Sequence, residues 1–166
     1  SQSLHIDNVT FINDFLAIAY AINHITPSQY ITLQHPKKRL SGTQVIIGAG
    51  TGLGTAIINH TPDQMHVIAT EAGHCEFAPV TQLQLKLLAY LKKKLHRVSV
   101  ERIVSGIGIT NIYKFMRTLP EFKNIEHREL KKLAMSSQNF SDKIEHYATQ
   151  HNDPTALQTL DLFIRC

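Results

Sequence analysis

A chain of 166 residues that is 43% hydrophobic has material for one domain with a real core, or for part of a larger one, and this excludes an intrinsically disordered segment. Charged residues make up 18%, low for a small soluble domain, which fits a surface shared with further chain or with a partner. Seventeen Lys and Arg against thirteen Asp and Glu give a net charge of +4. The basic runs "KKKLHR" (residues 92–97) and "KK" (Lys131, Lys132) have no interleaved aromatics and no recognition motif beside them. They read as a solvated helix face, and no nucleic acid is expected.

In chain order, residues 9–12 of "NVTFIND" read as a short buried strand running into a helix that opens near Asn13 and Asp14. The helix "FLAIAYAINHI" is apolar nearly all round, which predicts that it is buried. "ITPSQYITLQHPKKRLSGT" is loop, punctuated by Pro27, Pro36 and Gly42. The β-branched run at residues 44–47 is a strand that stops at a glycine cluster. A second run, "TAIINH", follows directly, and "TPDQ" separates it from a third, "MHVIAT". The glycines therefore join strand to strand.

Leu83, Leu87, Leu88, Leu91 and Leu95 form one face of an amphipathic helix, with Lys86, Lys92, Lys93 and Lys94 largely elsewhere. Ser99, Glu101 and Arg102 open a further short helix that ends at "SGIG", after which Ile109, Ile112, Tyr113 and Met116 resume helical spacing. Beyond Pro120 the pattern is wholly helical. "IEHRELKKLAM" is one helix, "FSDKIEHYATQH" a second with Ser141 as N-cap, and "DPTALQTLDLFIRC" a third with Asp153 as N-cap and Pro154 at the first helical position.

Two cysteines, Cys75 and Cys166, lie most of the chain apart and give neither a disulfide framework nor a zinc knuckle, so a reducing compartment fits best. No run is apolar for the ~18 residues that a membrane span needs, and "SQSLHIDNV" lacks the basic start and apolar centre of a signal peptide. The expectation is a cytoplasmic protein without a membrane partner.

In "GAGTGLG" the glycines stand at 48, 50, 52 and 54. A dinucleotide fingerprint needs spacings of two and then three ahead of a helix, and a P-loop needs a following lysine; neither is present. Two readings stay open: a plain glycine-rich hairpin, or a turn whose bare N–H groups and the Thr51 hydroxyl approach phosphate oxygens. Asp14 is either an N-cap or a carboxylate, favoured by the positive end of its helix, that takes a proton from or orients a substrate hydroxyl.

"TEAGHCEFAP" (residues 70–79) offers Glu71, His74, Cys75 and Glu76. Glu71, His74 and Cys75 around a glycine match no metal-ligand spacing, and no metal is expected. Adjacent residues of an extended segment point to opposite faces, which makes Cys75 and His74 a poor thiol–imidazole pair. An ordinary solvated loop remains open beside a site for a neutral polyol, where carboxylates accept from hydroxyls and a neutral imidazole both donates and accepts. Glu101 is a further acceptor of that kind, or an exposed acid in the first turn of a helix.

"INDF", "GAGTGLG", "EAGHCEFAP" and "VSVERIVSGIGITNIY", in this order, resemble the bacterial-type glucokinase family, ATP-dependent hexose kinases with an actin-like, ribonuclease H-related fold. The likeness runs from about Val9 to the end, strongest over residues 46–113. It implies an α/β sugar kinase fold, mostly its large lobe, with a β-hairpin region followed by a helical C-terminal half. Residues 1–22 are then the end of the small lobe and hinge, and residues 23–166 part of the large lobe.

By the same resemblance Asp14 is the catalytic base for the sugar's 6-hydroxyl. Asn13, Glu71, His74 and Glu101, with Asp14, bind the sugar, and Gly50, Thr51 and Gly52 form the second phosphate-binding turn. The implied partners are glucose and ATP with Mg²⁺, and a homodimer is left open. The family usually has Glu-Gly-Gly-His where this chain has Glu71-Ala72-Gly73-His74, and Ser-Gly-Pro-Gly where it has Ser105-Gly106-Ile107-Gly108. Its members begin with an Asp-x-Gly-Gly-Thr strand that serves phosphate and Mg²⁺ and end with a Gly-Gly turn against adenosine, neither of which stands in these residues. The chain thus reads as an internal piece with most of the Mg²⁺ ligands outside it, inactive by itself. The alternative is a non-catalytic sugar-binding or regulatory relative of the same fold.

Overall fold

The computed structural model describes residues 8–38, 42–123 and 125–166. Seven residues of the N-terminal stretch read above for a leader, and residues 39–41 of the Pro27 to Gly42 loop, lie outside them. The chain divides into two compact units. One comprises Ser1–Ile47 and Thr55–Thr70, so far as these are described, and the other Gly48–Gly54 and Glu71–Cys166.

The first unit is a sheet with one helix. Its strands β1 (Gln44–Ala49), β2 (Leu53–His60) and β3 (Met65–Thr70) lie in the order β1-β2-β3. β2 and β3 pair antiparallel, with Thr55 opposite Thr70 and Ile57 opposite Ile68. The period-two alternation sets the two faces. Ala56 and Ile58 are buried, and with Ala19 of helix α1 (Asp14–Ala21) they form a small core joined by Phe15, Ile46, Met65 and Val67. Val45, Ile47 and Ile68, which alternate with these core residues, are 60%, 67% and 56% exposed.

Two expectations for this unit are corrected. Residues 9–12 are not a buried strand: none of them is in a strand, and Val9, Phe11 and Ile12 are exposed. An extended segment becomes a strand only against a hydrogen-bonding neighbour, which its own composition cannot supply. Helix α1 buries only Ala19, while Ile18 and Tyr20 are exposed, because a single sheet face covers one stripe of a helix that is apolar on every side.

The second unit is helical, with α2 (Gln82–Lys92), α3 (Gly106–Met116), α4 (Arg128–Ser136), α5 (Ser141–His151) and α6 (Pro154–Ile164). α3 serves both of its cores. Ile112, Phe115 and Met116 join Leu87, Leu91, Val98, Ile103 and Leu162, while Tyr113 joins Leu130, Phe140, Ile144 and Ala156. The leucine face of α2 is inward as predicted, and Lys92, Lys93 and Lys94 are exposed. Asp153 caps α6 by accepting from Ala156 N–H at 2.8 Å, with Pro154 beside it. Ser141 is not the cap of α5: it is the first helical residue, and the cap position falls to Phe140 without a side-chain bond. The hydroxyl one residue further on cannot reach the N–H groups that a cap serves.

Candidate functional site

Three segments of the second unit meet around the glycine turn. Gly50 N–H donates to the Gly52 carbonyl at 2.9 Å, folding the turn on itself, and the Gly50 carbonyl accepts from Gly106 N–H, also at 2.9 Å. Of the turn's three N–H groups, that of Gly50 is therefore engaged. Those of Thr51 and Gly52, with the Thr51 hydroxyl, have no partner among the described residues, and Thr51 is exposed. Two adjacent N–H groups and a hydroxyl suit an anion.

The second segment is a 3-10 turn, Ala72–His74, closed by His74 N–H to the Glu71 carbonyl at 2.9 Å and Cys75 N–H to the Ala72 carbonyl at 3.0 Å. Among the described residues only Asn152 has a left-handed φ outside glycine, so the alanine at 72, where the resembled family has glycine, is unstrained. Gly73 is different. It is buried, and a Cβ there would collide with the carbonyl oxygen of Leu53.

The third segment pairs with the second. Glu76 and Ser99 form an antiparallel bridge, flanked by Phe77 N–H to the Val98 carbonyl (3.0 Å) and Val100 N–H to the Cys75 carbonyl (2.9 Å). A 3-10 turn, Val100–Arg102, follows and presents Glu101. One Glu101 oxygen, Oε2, accepts from Leu53 N–H at 3.0 Å. The other, Oε1, faces His74 Nδ1 at 3.9 Å, while His74 Nε2 lies 3.7 Å from Glu71 Oε2. These separations exceed a hydrogen bond, so the ring nitrogens keep bonding capacity for hydroxyl groups between them and the carboxylates. The Glu71 side chain is 82% exposed and that of Glu101 26%. A hollow of about 170 Å³ is lined by His74, Arg97, Ser99, Glu101 and Arg102.

Arg97 is the contributor that sequence reasoning missed. Its Nε donates to Glu76 and its Nη2 to the His74 carbonyl, so it clamps the loop that carries the imidazole. Within "KKKLHR" nothing separates it from solvated lysines; its partners are 21 and 23 positions away. Cys75 is an exposed free thiol whose carbonyl, not its sulfur, is used.

Asn13 and Asp14 belong to the first unit. The N-cap is Asn13, whose Oδ1 accepts from Leu16 N–H at 3.1 Å, leaving its Nδ2 as a donor. Asp14, read above as a candidate cap, is the first helical residue. Its Oδ1 accepts from Phe15 N–H at 2.9 Å, and the side chain is exposed.

A model of the glucokinase family matches the chain over residues 1–166. The chain belongs to the glucokinase family. It is 38% identical over 175 aligned residues to a glucokinase of Trichormus variabilis, covering 99% of this chain and 51% of the relative. The crystal structure of a glucokinase from an Antarctic psychrotroph superposes with a TM-score of 0.74 at 30% identity, covering 92% of this chain and 44% of that one. A glucokinase from Balamuthia mandrillaris, solved in complex with glucose, shares the fold at 22% identity, with a TM-score of 0.57 over 89% of this chain and 40% of that one. The chain thus spans about half the length of the relatives it matches. The expected α/β sugar kinase fold holds, with strands ahead of a helical C-terminal half.

Proposed function

We propose that this chain carries the sugar-binding residues, the catalytic aspartate and one phosphate turn of an ATP-dependent glucokinase, which transfers the γ-phosphoryl group of ATP to the 6-hydroxyl of glucose. The new bond joins O6 to the γ-phosphorus. The bond from that phosphorus to the bridging oxygen breaks, its electron pair leaves with ADP, and the O6 proton passes to Asp14. The role of Asp14 rests on the likeness of "INDF" to the family's catalytic segment. Glu71 and Glu101 accept from sugar hydroxyls, His74 donates or accepts, and Asn13 donates through Nδ2. Thr51 and Gly52 stabilise charge on the transferred group, the main demand that phosphoryl transfer makes on a protein.

What supports this reading is that Glu101, which faces His74, also holds the chain at Leu53 beside a turn whose Thr51 and Gly52 N–H groups have no partner among the described residues, in a chain matched end to end by the glucokinase family. Mg²⁺ accompanies the nucleotide in this reading. Among the described residues no three His, Cys, Asp or Glu side chains gather as a metal ion requires. A cytoplasmic, glycolytic role and the lobe assignment, residues up to 22 in the small lobe and hinge and the remainder in the large lobe, belong to the same proposal.

The test is glucose 6-phosphate formation by the full-length protein from glucose and Mg-ATP. The wild type is expected to turn over and Asp14→Asn to be slower by about 10²- to 10⁴-fold, the span of general-base catalysis. A wild type without product, or an Asp14→Asn protein with wild-type turnover, counts against the reading.

A further inference from the structure

The glycine turn is fastened on both sides to one segment of chain. On one side the Gly50 carbonyl accepts from Gly106 N–H, where α3 opens; on the other, Leu53 N–H donates to Glu101 Oε2. Ser105, between these anchors, donates its hydroxyl to the Glu101 carbonyl at 2.6 Å and accepts from Gly108 N–H at 3.1 Å, which fixes the backbone that presents Glu101. Thr51 and Gly52 are the only residues left between the two fastenings.

Gly52 lies flat against this carboxylate. A Cβ built on it would stand 2.5 Å from Glu101 Oε2 and 3.3 Å from Cδ, whereas one on Gly50 meets nothing within 4 Å. Neither glycine has a positive φ, so what position 52 demands is room for Glu101 rather than conformational freedom. A carboxylate has about four acceptor positions on its two oxygens, enough to hold a backbone N–H with one and a ligand hydroxyl with the other.

We propose that Glu101 is the positioning residue of the glycine turn: Oε2 holds Leu53 N–H while Oε1 serves the hydroxyl side beside His74, so that one carboxylate couples sugar binding to the geometry of the turn that meets the phosphoryl group. The ligands named here rest on the function proposed above; the hold on Leu53 does not. A side chain that only binds sugar would leave the turn indifferent to it, whereas a shared carboxylate makes each side sensitive to the other.

Two measurements on the full-length protein test this. In Glu101→Ala the amide hydrogen of Leu53 is expected to exchange with solvent at least about tenfold faster than in the wild type, because its acceptor is gone. Gly52→Ala, whose methyl displaces the carboxylate, is expected to weaken glucose binding without nucleotide by about tenfold, within the usual range of coupling between sites. Gly42→Ala adds a methyl outside the turn that meets nothing within 4 Å, and its glucose Kd should stay within about twofold of the wild type. Unchanged Leu53 exchange in Glu101→Ala, or an unchanged glucose Kd in Gly52→Ala, overturns the proposal. A wild type that does not bind glucose removes the proposed function instead, and Leu53 exchange still decides whether Glu101 holds the turn.

Discussion

The carbonyl oxygen of Leu53 occupies the space that a Cβ on Gly73 would need. One residue of β2 is thus gripped on two sides, its N–H by Glu101 and its carbonyl by the close approach of the loop carrying Glu71 and His74. Gly73→Ala must push these segments apart. Overpacking of this kind costs about 1–3 kcal/mol, and under the proposed function the displaced loop should raise the KM for glucose. Ala72→Gly, at a position without a left-handed φ, should change neither by much. Thermal melting and steady-state kinetics on the pair check both statements, and equal behaviour of the two variants would refute the close-packing account.

His74 has one carboxylate beside each ring nitrogen. His74→Ala removes a donor and an acceptor together and should lower kcat/KM for glucose by about 10- to 100-fold, as expected for a lost hydrogen-bond partner in a specificity site. His74→Gln, which keeps an amide donor and acceptor, should recover part of it. Kinetics with glucose as the varied substrate decide the point.

Away from the site, Glu126 is almost wholly buried and receives Arg117 through Nε and Nη2, together with the Tyr113 hydroxyl at 3.2 Å. Burial first, and then the charges of Glu126 and Asp153, push the Tyr113 phenol far above its usual range. Glu126→Gln leaves a mostly buried guanidinium without its counter-charge and should cost about 3 kcal/mol of stability. Urea denaturation measures this. Kinetics of the folded fraction should be unchanged, because the pair lies outside the proposed site.

A pH dependence follows from Tyr147, whose hydroxyl donates to Glu129. That bond holds the Glu129 carboxyl below its ordinary 4.5 and the Tyr147 phenol above its ordinary 10.0. For the acid, the native state prefers the ionised form, so the stabilisation is complete above about pH 4.5 and is lost as pH falls through the lower native value. For the phenol the sense is reversed, and stabilisation fades above pH 10. Tyr147→Phe should therefore lower the melting temperature at neutral pH, with the difference from the wild type shrinking towards pH 3. A difference independent of pH would show that packing, not this bond, is what the hydroxyl contributes.

The three strands and the glycine turn were legible because period-two alternation and glycine punctuation are local properties. The same holds for Asp153 and Pro154, where cap and first helical position are neighbours in sequence. The residues of the candidate site could be nominated from motifs, but their connections could not: Glu101 reaches Leu53 across 48 positions and Arg97 reaches the His74 carbonyl across 23. Residues 9–12 show the opposite limit. Their apolar character suggested burial, yet strand pairing is a tertiary event, and these residues are exposed and lie in no strand.

The uncovered side of the small sheet bears on how this chain behaves in a tube. Val45, Ile47 and Ile68 give its outer surface an oily patch along β1 and β3, the outer strands of that sheet among the described residues. Prepared as these residues alone, the protein should self-associate as concentration rises, and light scattering at increasing concentration would register this before any assay does. Charge placed at Ile47 or Ile68 should raise solubility while leaving the second unit's melting unaltered.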